Sequence, residues 1–184
     1  MLGISCSKIK NKVRRLVGKY KTTDPYELCE CMGIILSDEN FGESETAIKA
    51  MTMTISRITI IQFNSCLDEV ILRFIIAHEL GHAVLHKNMR HVDNGFFDDL
   101  SQTEREANLF AAELIFGDSR KLFECMQYSE QTLFQLAAEK QVPYELLAYK
   151  LEIMKEEGFD VPELPYRPDS RFLSRNLEQN VYCG

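Results

Sequence analysis

The 184-residue chain lacks the marks of several protein classes. No stretch approaches the ~18 apolar residues of a membrane span. Even the apolar region 71–85 is interrupted by Arg73, His78, Glu79 and His82. Met1-Leu2-Gly3-Ile4-Ser5-Cys6 has no basic start followed by an apolar run, so it makes a poor secretory signal. Six cysteines are present, yet no Cys-x-x-Cys pair exists and the closest spacing is Cys29-x-Cys31. This disfavours a cysteine metal cluster or a disulfide framework and predicts reduced thiols, most of them packed as small hydrophobes. An excess of positive charge is missing too. The balance 21 − 28 = −7 argues against non-specific nucleic-acid binding by the whole molecule. No internal repeat is visible. These absences leave a cytoplasmic protein with no membrane association, of a size that fits one compact domain or a domain with a small appendage.

Charge is uneven along the chain. Residues 8–21 carry Lys8, Lys10, Lys12, Arg14, Arg15, Lys19 and Lys21 without an acid, and we read them as the solvated face of an N-terminal helix. The apolar spacing Ile9, Val13, Leu16, Val17 predicts that helix over 7–20. Thr23-Asp24-Pro25 supplies a cap and a proline at the first helical position for a second helix, which Gly33 closes. Ile34-Ile35-Leu36 is a strand candidate, followed by an acidic loop over 37–46. Met51–Ile55 and Ile58–Phe63, rich in β-branched residues and separated by Ser56-Arg57, suggest a hairpin. Ser65 can cap a long helix over 66–86. A loop with Asp93-Asn94-Gly95 and Asp98-Asp99 leads to a helix over 102–116, and further helices are expected over 119–127, 130–140 and 143–158. The sum is an α+β protein, mostly helical, with a small antiparallel sheet. Residues 1–118 read as the core, 119–158 as a helical unit packed on it, and 159–184 as an irregular C-terminal tail.

The chemistry lies in His78-Glu79-Leu80-Gly81-His82, an H-E-x-x-H pattern. On a helix, positions i and i+4 share a face, so two imidazoles can reach one ion at ~2.0–2.1 Å. Glu79 lies about 100° round from His78, where its carboxylate can reach an attacking water without ligating the ion. Gly81 leaves space beside the metal.

A catalytic zinc site usually takes three protein ligands. His86 lies near the same face, but i+8 is about 12 Å along the axis from His78, too far for one ion on a straight helix. The longer metzincin motif needs Gly at 85 and His at 88, where this chain has Leu85 and Asn88. The later helix is the better source. Glu104, Ala107, Asn108 and Ala111 form one stripe whose alanines permit close approach. Glu104 would ligate, and Asn108 would hold a ligating imidazole by its second nitrogen. Glu106 is the rival third ligand. Each acid also fits a capping box, Ser101 with Glu104 or Thr103 with Glu106. If Thr103 is the cap, Glu106 is occupied and Glu104 is free, and Glu104 is the favoured ligand.

The chain resembles the ImmA/IrrE family of metallopeptidases. The resemblance rests on Thr23-Asp24-Pro25-Tyr26-Glu27-Leu28, Ile60-Ile61-Gln62-Phe63-Asn64, the stretch from Ile76 to His86, and the stretch from Glu104 to Leu114. A weaker similarity continues through Leu136–Pro143, where relatives carry a helix-turn-helix-like unit. The resemblance implies a zincin-like, gluzincin-type Zn2+ site with His78 and His82 as ligands, a glutamate as third ligand and Glu79 as catalytic acid/base. It also implies an endopeptidase that cleaves or antagonises a repressor of the helix-turn-helix type, in mobile-element or stress-response regulation.

Two other readings compete. A non-cleaving anti-repressor would sequester the same partner, but a purely structural metal site has no use for Glu79. A DNA-binding role for 130–151 is disfavoured by Glu139 and Glu145, with Glu152 just beyond, by the scarcity of basic side chains, and by Gln141 where a turn would prefer glycine. His91, Tyr128, Tyr144 and Tyr149 are candidate donors to the carbonyl oxyanion, and strand 58–63 could offer an edge to an extended substrate.

Overall fold

The computed structural model describes residues 3–44, 47–86, 97–128, 132–163 and 168–170, with the side chains of 97–100 and 128 left aside. The fold is α+β and mainly helical. Helix α1 (Cys6–Tyr20) buries Ile9 and Val13, as their spacing predicts. It also buries Lys10, which corrects the reading of 8–21 as wholly solvated. Lys10 bonds Ser119 Oγ at 3.5 Å and pairs with Glu157, while the other basic residues of the stretch stay exposed. Helix α2 (Pro25–Cys31) begins at the expected cap, with Asp24 Oδ1 accepting from the backbone N–H groups of Tyr26 and Glu27.

Three strands follow: β1 (Ile35–Glu39), β2 (Ala50–Ile55) and β3 (Ile58–Asn64). β2 and β3 form the expected antiparallel hairpin, with Ile55 opposite Ile58. Its two turn residues, Ser56 and Arg57, both have positive φ, 50° and 70°. β1 differs from expectation. It extends into the supposed acidic loop and pairs with β3 in parallel, Ile35 opposite Ile60, so the sheet is mixed with order β1-β3-β2. β3 is therefore the central strand, paired on one side with β1 and on the other with β2, so the edge expected of 58–63 is not free.

Helix α3 (Glu69–Leu85) is almost wholly buried. Asp68 caps it, not Ser65, because Ser65 is engaged with the carbonyl of Glu39 through N–H at 2.9 Å and Oγ at 3.3 Å. Helix α4 (Phe97–Phe116) begins five residues earlier than its apolar pattern suggests. Both capping boxes invoked for Glu104 and Glu106 thus fall in mid-helix and do not form.

α3 and α4 pack closely, and Gly81 is the reason. A Cβ there would lie 3.1 Å from Cα and 3.2 Å from the carbonyl oxygen of Ala107. Gly81 therefore makes room for α4 rather than for the metal. Helices α5 (Ser119–Tyr128), α6 (Leu133–Glu139) and α7 (Tyr144–Glu156) complete the helices among the described residues. α6 starts with a Thr132/Gln135 capping box and meets α7 through Gln141, whose φ is +54°. α7 is buried along most of its length against α4, and its Lys150, 0% exposed, bonds Glu113 at 2.5 Å and the Gly117 carbonyl at 2.6 Å. The apolar side chains of α1, α3, α4, α6 and α7 form one continuous core. Among the described residues no helix is long and apolar enough to cross a membrane.

The five described cysteines are free thiols. Cys6 and Cys29 are buried, and burial pushes each up to about 12, with Glu156 adding to the shift at Cys6. Cys31, Cys66 and Cys125 are exposed, so packing as small hydrophobes holds for a minority of the five.

Candidate metal centre

α3 and α4 bring three ligand groups together where they cross. His78 and His82, one turn apart, point their Nε2 atoms at each other across 3.0 Å. Oε2 of Glu104 lies 3.3 Å from Nε2 of His78, and Oε1 lies 3.3 Å from Nε2 of His82. Ligand atoms of the three residues all lie within 4.8 Å of one another. Donors bound at ~2.0–2.2 Å in a tetrahedral array stand about 3.3–3.5 Å apart. The donor set thus fits a divalent cation that favours nitrogen and carboxylate ligands. Burial opposes ionisation of Glu104, but hydrogen bonds from His78 and His82 prevail and hold its carboxyl well below the usual carboxylate range. Burial likewise disfavours a charged His82, while the hydrogen bond from Glu104 and the charges of Glu79 and Glu104 outweigh it and raise its pKa. Both shifts reflect one cause: a pocket of ligand atoms that attract a positive charge.

Of the two rival acids, Glu104 stands with the imidazoles. Glu106, two positions on and so about 200° round the helix, faces elsewhere. Its Oε2 is 3.0 Å from Nε2 of His86, and its Oε1 accepts from Ile4 N–H at 2.7 Å and from Gln102 at 2.8 Å. His86 meets His82 through Nδ1 at 3.1 Å. Burial pushes the His86 imidazole down, Glu106 opposing, and burial is likewise opposed at Glu106, where Gln102, His86 and Ile4 keep the carboxyl low. Asn108 accepts from Nδ1 of His78 at 2.8 Å, while its amide donates to the carbonyl of Ser170 at 2.8 Å.

Glu79, 9% exposed, lies near enough to His82 for its charge to act on that imidazole, and its Oε2 accepts from Thr52 Oγ1 at 2.7 Å. Thr52 was not among the sequence candidates. The only sign of it is strand alternation, which puts Thr52 on the helix-facing side of β2 along with Ala50. Of the oxyanion candidates, Tyr144 stacks on Phe134 at 4.2 Å and Tyr149 is buried against Asn108. His91 and the Tyr128 side chain lie outside the described residues.

Paired imidazoles on one helix, a carboxylate from the next and a free acid beside them are the arrangement of a metal-dependent hydrolase. Comparison with known proteins makes the class specific. Residues 29–152 match the family model described as the IrrE N-terminal-like domain. The chain is 35% identical over 146 residues to uncharacterized immunity region protein 2 of Bacillus phage phi105, covering 77% of this chain and 88% of that protein. It is 33% identical over 155 residues to metallopeptidase ImmA of Bacillus subtilis, covering 82% of this chain and 89% of that protein. The chain belongs to the ImmA/IrrE family of metallopeptidases.

Proposed function

We propose that the protein is a zinc-dependent endopeptidase acting on a helix-turn-helix repressor or a similar regulatory protein in the cytoplasm. The observation that carries this is the convergence of His78, His82 and Glu104, with the Glu79 carboxylate held apart from that group by Thr52. Two imidazoles and one carboxylate suit Zn2+, leaving a position for water and substrate. Zinc, when bound, would acidify the attacking water and polarise the scissile carbonyl.

The chain's own residues do the rest. His78 and His82 present Nε2 only if Nδ1 carries the proton, and Asn108 Oδ1 is placed to hold that proton on His78. Glu79 takes the proton of the attacking water and passes it to the leaving amine. Thr52 holds the carboxylate by one oxygen, which leaves the other for the water. β2 borders the site through Thr52 and is an edge strand of the sheet, so it is the strand available to an extended substrate. We place the peptidase core in 1–118 and treat 119–158 as its support. The burial of α7 leaves no face of that helix to enter a DNA groove, which favours a protein partner over direct DNA contact.

The names of the two relatives, an immunity-region protein and ImmA, support a role in the control of mobile elements. Incubation with a helix-turn-helix repressor from the same gene neighbourhood tests the reading. Fragments from wild type but not from Glu79→Gln, with zinc retained in both, are expected. A stable complex with no fragments would favour the non-cleaving anti-repressor.

A further inference from the structure

His86 stands behind the metal centre. His82 turns Nε2 toward His78 and Glu104, so its Nδ1 faces away from the ligand atoms, 3.1 Å from Nδ1 of His86. The opposite nitrogen of His86, Nε2, is 3.0 Å from Glu106 Oε2. Glu106 is 3% exposed, and its other oxygen accepts from Ile4 N–H and from the Gln102 amide. Every bond of this chain has only one workable direction. A ligating Nε2 needs its lone pair, so the ring proton of His82 sits on Nδ1 and must be donated. His86 then accepts at Nδ1 and carries its own proton on Nε2. A carboxylate has no proton to give, so Glu106 accepts from both His86 and Ile4.

We propose that His86 and Glu106 are positioning residues for His82, locking its tautomer and ring plane for metal binding and tying the N-terminal segment at Ile4 to that support. The inference rests on His78, His82 and Glu104 being the metal ligands. His78 has a separate support, Asn108, which donates to the Ser170 carbonyl. Each ligating imidazole is thus backed by a different side chain, and each support is anchored by a different end of the described chain: Ile4 for His82, Ser170 for His78.

Zinc affinity, measured by competition with a chromogenic chelator, reads this without any peptide substrate. His86→Ala and Glu106→Ala should each weaken zinc about 10- to 100-fold. Glu106→Gln should recover part of the loss, because its carbonyl oxygen still accepts from His86. His82→Ala should abolish tight binding. Unchanged zinc affinity in His86→Ala, with binding lost in His82→Ala, overturns the inference and leaves the ligand assignment standing. Unchanged affinity in both overturns the assignment itself. Should His86→Ala fail to fold, long-range nitrogen–proton NMR on the zinc-loaded wild type decides. It should find His82 protonated at Nδ1 and His86 at Nε2, and a His86 proton on Nδ1 would sink the proposal.

Discussion

Thr52 holds the carboxylate of Glu79, the acid/base of the proposed reaction, at 2.7 Å. A hydrogen bond to a charged, largely buried acceptor contributes on the order of 1.5–3 kcal/mol. Thr52→Val should therefore lower kcat about ten- to a hundredfold with zinc content unchanged, and Thr52→Ser should restore most of it; steady-state kinetics on a cleavable repressor checks both. At the metal itself, His78→Ala or His82→Ala should lose zinc by elemental analysis, whereas Glu79→Gln should keep it. The H-E-x-x-H residues were legible because their spacing is local: a helix places i and i+4 together whatever else the chain does. Glu104 was only half legible. Its stripe with Ala107 and Asn108 pointed to it, but the capping argument used against Glu106 was mistaken, since the helix begins at Phe97 and neither box exists.

The α3–α4 crossing is an element whose geometry hangs on one missing methyl group. Gly81→Ala would press a Cβ into the Ala107 backbone, at 3.1 Å from its Cα, and backbone cannot rotate out of the way. A cost of about 1–3 kcal/mol is expected. Because Glu104 lies one turn before Ala107, the same shift should move the third ligand and weaken zinc; chemical denaturation and chelator competition read the two effects separately. The β2–β3 hairpin offers the opposite sign. Ser56 and Arg57 occupy left-handed conformations that favour Asn-Gly. Replacing them by Asn-Gly should stabilise the protein by about 0.5–1 kcal/mol, seen as a higher urea midpoint, because relief of left-handed strain outweighs the freedom glycine adds to the unfolded chain. Strand pairing could not be read in the same way. Paired residues of β1 and β3, such as Ile35 and Ile60, lie 25 positions apart, and no local pattern states whether such strands run parallel.

Across the whole molecule, buried charge ties α7 to α4. Lys150 is fully enclosed, and burial lowers its pKa although Glu113 opposes the effect. Removing one partner leaves the other charge uncompensated, so Glu113→Ala should cost about 3–5 kcal/mol in denaturant unfolding. Glu113→Leu with Lys150→Met should be near neutral, because neither charge then needs burying. By itself the sequence determined the α+β class, most helix positions, the H-E-x-x-H pair and the ImmA/IrrE resemblance, all of which rest on periodicity, capping residues or contiguous motifs. Only the tertiary structure decided the parallel placement of β1, which of Glu104 and Glu106 stands with the two imidazoles, the contacts of His86 with His82 and Glu106, and the parts of Thr52 and Ser170. Each of these depends on residues far apart in the chain meeting at a helix crossing, where a rotation of 100° per residue decides whether a side chain faces the metal or its support.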